Sequence, residues 1–478
     1  MHKSVSTRQQ AGLRMIVAGW IACSMAVCLG NPSRVRVRLD VEGELVATAG
    51  RDVEPVRQPI SVAGRFEFVE TPADEASAAA AFREYCDATA EIVVAGERTD
   101  VRLAEDAQRL NVVRVGTAAV PYLPRGFLTR DERDLLDIPF DPLLVDGLRP
   151  AAVVATGNQW NVPADIAAGL LAVDTIETGS LEAKLESVGD CMAIVRLSGV
   201  VDGAVDGVPT HLVIDGSCSM EAAPDISSDT TRLRYRLDGR VSRLTVTLRE
   251  QRQASHVSPG FAVEARVAMS RSAVAGEADS AEATETSTYE VDAAQLRRQR
   301  PQTAGSPDKL WHHDLGGRFD LVHDVRWRAV EQTPGALVLR LVDRGALVAQ
   351  CSITTLPPAA ATALPTIDEV KRDIRRSLAG EFERFEEATV DTRDDGVVIV
   401  RVVSAGTAAA LPFRWIHVVM ADTAGRRASV AFMMEASMAE RFGTADGDVV
   451  AGLRLDSGQG RGGEATREAR LPRKTATP

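Results

Sequence analysis

Between residues 34 and 270, apolar and polar side chains alternate one by one over run after run, and chain patterned in this way is confined to half-buried antiparallel strands. The runs span 34–70, 85–94, 101–115, 181–188, 192–201, 210–220, 235–250 and 261–269. A period of two sends every second side chain to the same face, so each run carries one apolar and one polar face. Gly and Asp stand at the breaks, where tight turns need them. Eight or more such strands predict a mostly antiparallel sheet that curls, as a half barrel or a sandwich. Helices are few in this half. Residues 127–136 hold Thr129 and Glu132 at the spacing of a capping box. The short apolar segment 163–173 is expected to cover one face or one mouth of the sheet.

The composition changes at residue 271. From there to 308 no apolar period survives, and chain that cannot bury apolar surface cannot offset its ordering entropy, so 271–308 is expected to be a disordered linker. A second unit is expected over 309–455, followed by a disordered tail, 456–478. The second unit opens with a strand, turn and strand over 317–330, and strands follow at 336–342 and 347–354. A helix at 366–378 has Thr366 and Glu369 as its capping pair and an apolar stripe of Ile367, Val370, Ile374 and Leu378. Strands at 396–404, 413–421 and 427–435 precede a closing helix from Ser437.

That order, with Gly317-Arg318-Phe319-Asp320-Leu321 ahead of Trp327, resembles the PsbP-like fold over Gly317 to Leu455. The resemblance implies an α+β unit, an antiparallel sheet packed between helices, and transfers no active residue. The first half, through Gly157-Asn158-Gln159-Trp160-Asn161-Val162-Pro163 and the β-meander after it, resembles exported bacterial lipoprotein-type domains, a likeness with no particular function attached.

Residues 1–30 read as an export leader, a signal peptide. Lys3, Arg8 and Arg14 precede the apolar run from Met15 to Gly30 without an acidic residue between them, and that run is shorter than the ~20 residues a membrane span needs. Cys28, in Met25-Ala26-Val27-Cys28, is a candidate for lipidation; ordinary cleavage after Gly30 is the alternative. The mature protein is then exported, to the periplasm, the cell envelope or the medium, and meets a membrane only through that anchor. Loss of the three leader cations takes the formal charge from −12 to −15. So acidic a chain repels phosphate backbones, which excludes nucleic acid as a partner class. In an oxidising compartment Cys191 and Cys218 face each other if the hairpin between them is symmetric about Ala204 and Val205, which makes them a disulfide candidate. Cys86 and Cys351 are expected to be buried thiols.

No residue constellation specifies a chemistry. The densest group of potential ligands is His312, His313 and His323 with Asp314, Asp320 and Asp324, a weak metal candidate because neighbouring residues of a strand point to opposite faces. Ser306-Pro307-Asp308-Lys309 has a proline where a serine-x-x-lysine pair needs a helix. The glycines from Gly458 to Gly463 lack the strand and helix of a dinucleotide site. Residues 391–396 lack the twelfth-position carboxylate of a calcium loop. No catalytic residue and no cofactor is therefore assigned. The leading expectation is a non-catalytic exported envelope protein that binds a protein or serves an assembly. Two alternatives stand beside it: a carrier of a lipid or other apolar ligand within 34–270, with 163–173 as a lid, and a metal-dependent enzyme centred on the histidines.

Overall fold

A computed structural model describes residues 31–47, 56–74, 77–225, 233–254, 259–274, 300–359 and 365–456. The leader with Cys28, residues 275–299 of the expected linker, and the tail from 457 lie outside the described residues.

The first unit contains β1 (Ser33–Ala47), β2 (Val56–Asp74), β3 (Ser77–Val94), β4 (Glu97–Arg102), β5 (Arg109–Val115), β6 (Ala118–Tyr122), α1 (Arg130–Leu136), α2 (Pro142–Val145), β7 (Val154–Ala155), β8 (Gln159–Asn161), α3 (Ala164–Leu170), β9 (Thr175–Gly189), β10 (Met192–Val205), β11 (Val208–Glu221), β12 (Ala223–Pro224), β13 (Arg234–Arg236), β14 (Val241–Arg252) and β15 (Gly260–Ala273). Twelve of these strands form one antiparallel sheet in the order β6-β5-β3-β2-β1-β15-β14-β11-β10-β9-β8, with β4 also on β3. The sheet is open, so it is neither a closed barrel nor a sandwich of two sheets. A second layer comes instead from the segment after β6, where α1, α2, α3 and their loops pack on one face.

The pairing follows the alternation. Val35 and Val37 of β1 stand opposite Phe68 and Phe66 of β2 on one side, and Val37 stands opposite Met269 of β15 on the other; all five are buried. Further along the sheet, Leu197, Leu212, Leu244 and Val246 continue the same inner face under Leu136, Leu144, Leu148 and Leu170. Each such side chain contributes about 1.5–3 kcal/mol on burial, which is what holds the helical layer on the sheet.

The second unit contains β16 (Lys309–His313), β17 (Phe319–Asp324), β18 (Trp327–Thr333), β19 (Ala336–Asp343), β20 (Ala346–Leu356), α4 (Ile367–Leu378), β21 (Phe382–Thr392), β22 (Val398–Ala408), β23 (Leu411–Ala421), β24 (Arg427–Glu435), α5 (Ala439–Phe442), α6 (Ala445–Gly452) and β25 (Leu453–Leu455). Seven strands form an antiparallel sheet in the order β18-β19-β20-β24-β23-β22-β21. Trp327, Phe432 and Phe442 pack ring to ring on one face, at centroid distances of 5.8–6.5 Å, under α5 and α6. The stripe of α4 covers the other face at Val400 and Val402. The chain is thus α+β and mostly antiparallel.

The linker expectation is corrected at both ends. β15 runs on to Ala273, and residues 300–308 are docked on the first unit. Arg300 is buried, its guanidinium donating to Glu132 Oε2 at 2.8 Å and to the Phe127 carbonyl at 2.9 Å, while the Gly126 N–H donates to the Thr303 carbonyl at 2.8 Å. A linker composition does not reveal that one arginine meets a buried carboxylate.

Candidate functional site

The helical layer does not cover the whole inner face. Beyond Val37 and Phe66, the next inner-face residues Leu39, Val62, Ala90 and Ile92 are only partly buried. They stand side by side because Leu39 pairs with Gly64 and Gly64 with Ala90, while Val62 pairs with Ile92. Across from them runs α1. Between helix and strands lies a cleft of about 270 Å³, lined by Leu39, Val62, Gly64, Phe66, Ala90, Ile92 and Val101 from the sheet and by Leu135, Ile138, Asp131, Asp134 and Asp137 from the helix and its exit. Small-molecule pockets begin at about 300 Å³, so the cleft falls just short of their lower end.

α1 is held rigidly as the cleft's wall. Thr129 and Glu132 form the capping box that their spacing predicts: the Glu132 N–H donates to Thr129 Oγ1 and the Thr129 N–H to Glu132 Oε2. Glu132 also receives Arg300, Arg130 donates to the carbonyls of Val325 and Trp327, and the Trp311 N–H donates to the Leu128 carbonyl at 2.8 Å. Three aspartates border the mouth. Burial, with the charges of Asp134 and Glu132, holds the Asp131 carboxyl above its ordinary value; burial also raises Asp137, against the opposing pull of Arg133. Asp137 is exposed at the surface, so only its inner side is desolvated.

Deeper in the first unit lies an ion cluster that the sequence did not reveal. Arg83 Nε donates to Glu70 Oε2 at 3.0 Å, and its terminal nitrogens grip Asp141 at 2.8 and 2.6 Å. Arg240 bridges Glu70 and Asp146 at 3.0 and 3.2 Å, and Arg271 donates to Asp146 at 2.9 Å. Burial alone would lower the Arg83 pKa, yet Asp141 and Glu70 together leave it well above its ordinary value. Three cations meet three carboxylates, and Asp141 further caps α2 through the Leu143 N–H. So balanced a cluster fastens the helical layer to β2, β3 and β15 and leaves no carboxylate free to act on a ligand.

The histidines do not converge. His312 pairs with Leu321 and His323 with Leu310, which puts both on the buried face of β16 and β17, whereas His313 shares the opposite face with Asp320. His313 Nδ1 lies 2.6 Å from Asp320 Oδ1, and His323 Nδ1 donates to the Asp324 carbonyl at 2.8 Å. Burial lowers the pKa of both His312 and His323 to about 4, so both are neutral at pH 7. No group of three or more potential ligands able to hold a metal occurs among the described residues.

The disulfide expectation is corrected. Val205 pairs with Val208, so the turn falls at Asp206 and Gly207, and this register sets Cys218 opposite Val195. Cys191 lies outside the pairing, exposed at the tight turn before β10, and its carbonyl accepts the Ala222 N–H at 2.8 Å. Both thiols are free. The expected symmetry centre was wrong because the strand continues through Gly203 and Ala204 to Val205, and the turn is taken at the second Asp-Gly pair, Asp206-Gly207. Cys351 is buried as expected; Cys86 instead lies exposed. Within the expected lid, 163–173, α3 packs Ala167, Ala168 and Leu170 into the core of the first unit, and Gly169 lies so close to the Thr117 carbonyl that a Cβ there would stand 1.9 Å from it.

The outer face of the large sheet carries ion pairs, among them Arg36–Glu67 at 3.1 Å, Arg57–Glu44 at 3.0 Å and Arg249–Glu264 at 3.0 Å. Such a face belongs in water, since strands that cross a bilayer turn apolar side chains outward.

No protein-family description and no curated protein matches this chain. Among solved structures it is similar to cyanobacterial PsbP from Synechocystis sp., over 31% of this chain and 93% of that one, at 13% identity and a TM-score of 0.26. It is similar to lipovitellin over 53% of this chain and 26% of that one, at 8% identity and a TM-score of 0.29. It is similar to OccK5 of Pseudomonas aeruginosa over 84% of this chain and 96% of that one, at 6% identity and a TM-score of 0.11. The likeness to PsbP is weak and one of fold alone, and at these scores none of the three carries an argument about function.

Proposed function

We propose that this protein is a non-catalytic binder of a small apolar ligand, held in the cleft between α1 and strands β1–β4. The observation that carries the reading is the cleft itself: an apolar cavity of about 270 Å³ whose helical wall is clamped by a capping box and a buried ion pair. A preformed apolar site of this kind binds without the entropy loss of ordering its own walls. The carrier expectation therefore moves from α3 to α1. Export, which the pattern of residues 1–30 supports, and a PsbP-like second unit, which the element order supports, belong to the same proposal. A protein-binding envelope factor ranks below it, because the outer face of the large sheet is already satisfied by its own ion pairs.

The test is titration with N-phenylnaphthylamine, a neutral probe that fluoresces in apolar surroundings. Saturable one-site enhancement is expected, lost in Ala90→Phe, which fills the cleft, and retained in Ala63→Phe, which adds the same ring to the exposed outer face of β2. Absence of saturable binding, or equal binding by both variants, overturns the reading.

A further inference from the structure

The mouth of the cleft is chemically distinct from its lining, and any selection among ligands at that mouth rests on the cleft being a binding site. Asp131 and Asp134 stand three residues apart on α1, and Asp137 follows the helix directly; all three border the cleft and all are exposed. Asp131 suits the first turn of α1, but Asp134 and Asp137 stand toward its C-terminal end, where negative charge is disfavoured. Arg130 reaches Asp134 at 3.4 Å, but no cation among the described residues comes within ion-pair distance of Asp131 or Asp137. Arg133, the cation that most influences Asp137, is turned into the protein, where it donates to the Pro121 carbonyl at 2.9 Å. The opposite wall, through Leu39, Val62 and Ile92, carries no charge. A ligand whose chain lies on that wall places its head among carboxylates. There a positive head is attracted, a neutral one is indifferent and a negative one is repelled.

We propose that the ligand is a cationic amphiphile, a single aliphatic chain ending in an amine, whose chain lies along β1–β3 and whose ammonium sits among Asp131, Asp134 and Asp137. The same carboxylates exclude fatty acids and other anionic chains from the site. Selection by head charge follows from this geometry without any further group.

The experiment displaces N-phenylnaphthylamine from the full chain at neutral pH and low salt with decylamine, decanol and decanoate, which share one chain and differ in head charge. Decylamine is expected to displace the probe at a concentration roughly tenfold lower than decanol, the compound effect of two or three partly screened charge pairs, and decanoate at a higher one. The readout is the decylamine-to-decanol ratio. It is expected to fall toward one in the double variant Asp131→Asn/Asp134→Asn, and to shrink in the wild type as salt is raised. Equal displacement by all three compounds, or an amine advantage that survives the double variant, overturns the head-group inference while leaving the cleft as a site. Failure of the probe and of all three compounds overturns the cleft reading itself.

Discussion

Arg83 shows most clearly what single residues do here. Its guanidinium is fully buried between Glu70 and Asp141, so Arg83→Leu would leave Asp141 buried without its cation, while Glu70 keeps Arg240 and Arg271. Removing one member of such a cluster costs about 3–5 kcal/mol, and the midpoint of urea denaturation should fall accordingly; a loss below about 1 kcal/mol would contradict the fastening role. Buried histidines set the response to acid. His312, His323 and His417 have folded-state pKa values lowered to about 4 by burial, against about 6.5 in the unfolded chain. Between those values the unfolded state binds more protons, so stability falls as pH drops from about 6.5 toward about 4. Each histidine accounts for on the order of 1–3 kcal/mol of that loss. His417→Leu should therefore flatten the pH dependence of stability over this window relative to wild type; an unchanged slope would show that His417 titrates normally when folded. Among the described residues the Nε2 atoms of His312 and His417 have no hydrogen-bond partner, which agrees with neutral rings held in place by packing.

Elements were legible in the sequence wherever a local pattern specifies them. Thr129 with Glu132, and Thr366 with Glu369, announce α1 and α4, and both capping boxes are formed. Removing Thr129 Oγ1 by Thr129→Ala should lower stability by about 1 kcal/mol and weaken probe binding with it, because the helix so loosened is the wall of the cleft. Stability loss with undiminished probe affinity would dissociate α1 from the site. Alternation likewise located the long strands, but not β21, where the half-buried Phe382 and Phe385 stand three residues apart, separated by exposed Glu383 and Arg384, and the ladder is shifted by two irregularities. The 101–115 run is broken at Leu103 and Ala107, which are buried where the chain leaves β4 for β5, and no period of two foretells such a corner. The cleft was illegible for a different reason. It arises from what the helical layer leaves uncovered, and Leu39 reads the same in sequence as Val37. The register of β10 on β11 turned on Asp206 and Gly207, a pair that the sequence offers alongside Gly203 as an equal turn signal.

At the scale of the molecule the two units form one body. Leu310 of the second unit belongs to the core of the first, Arg328 pairs with Asp206 at 3.0 Å, and two hairpin turns meet where Gly207 and Gly345 approach so closely that a Cβ on Gly207 would lie 2.5 Å from the Gly345 Cα. Gly207 also has φ +71, which disfavours any side chain there, so Gly207→Val should force the turns apart. Arg300 ties the C-terminal unit to α1 through buried Glu132. Arg300→Ala is therefore expected to weaken probe binding at a position whose partners all lie outside the cleft lining, and to split a single thermal transition into two. A variant that keeps one transition and full affinity would separate the units functionally. The claim on which the rest depends is that a ligand lies between α1 and the sheet, and a crystal structure of the protein with decylamine tests it most directly. Continuous density for the chain between Ile92 and Leu135, with the ammonium beside Asp131 and Asp134, is the predicted result. A clear map with that cleft empty, or with decylamine elsewhere, would contradict it.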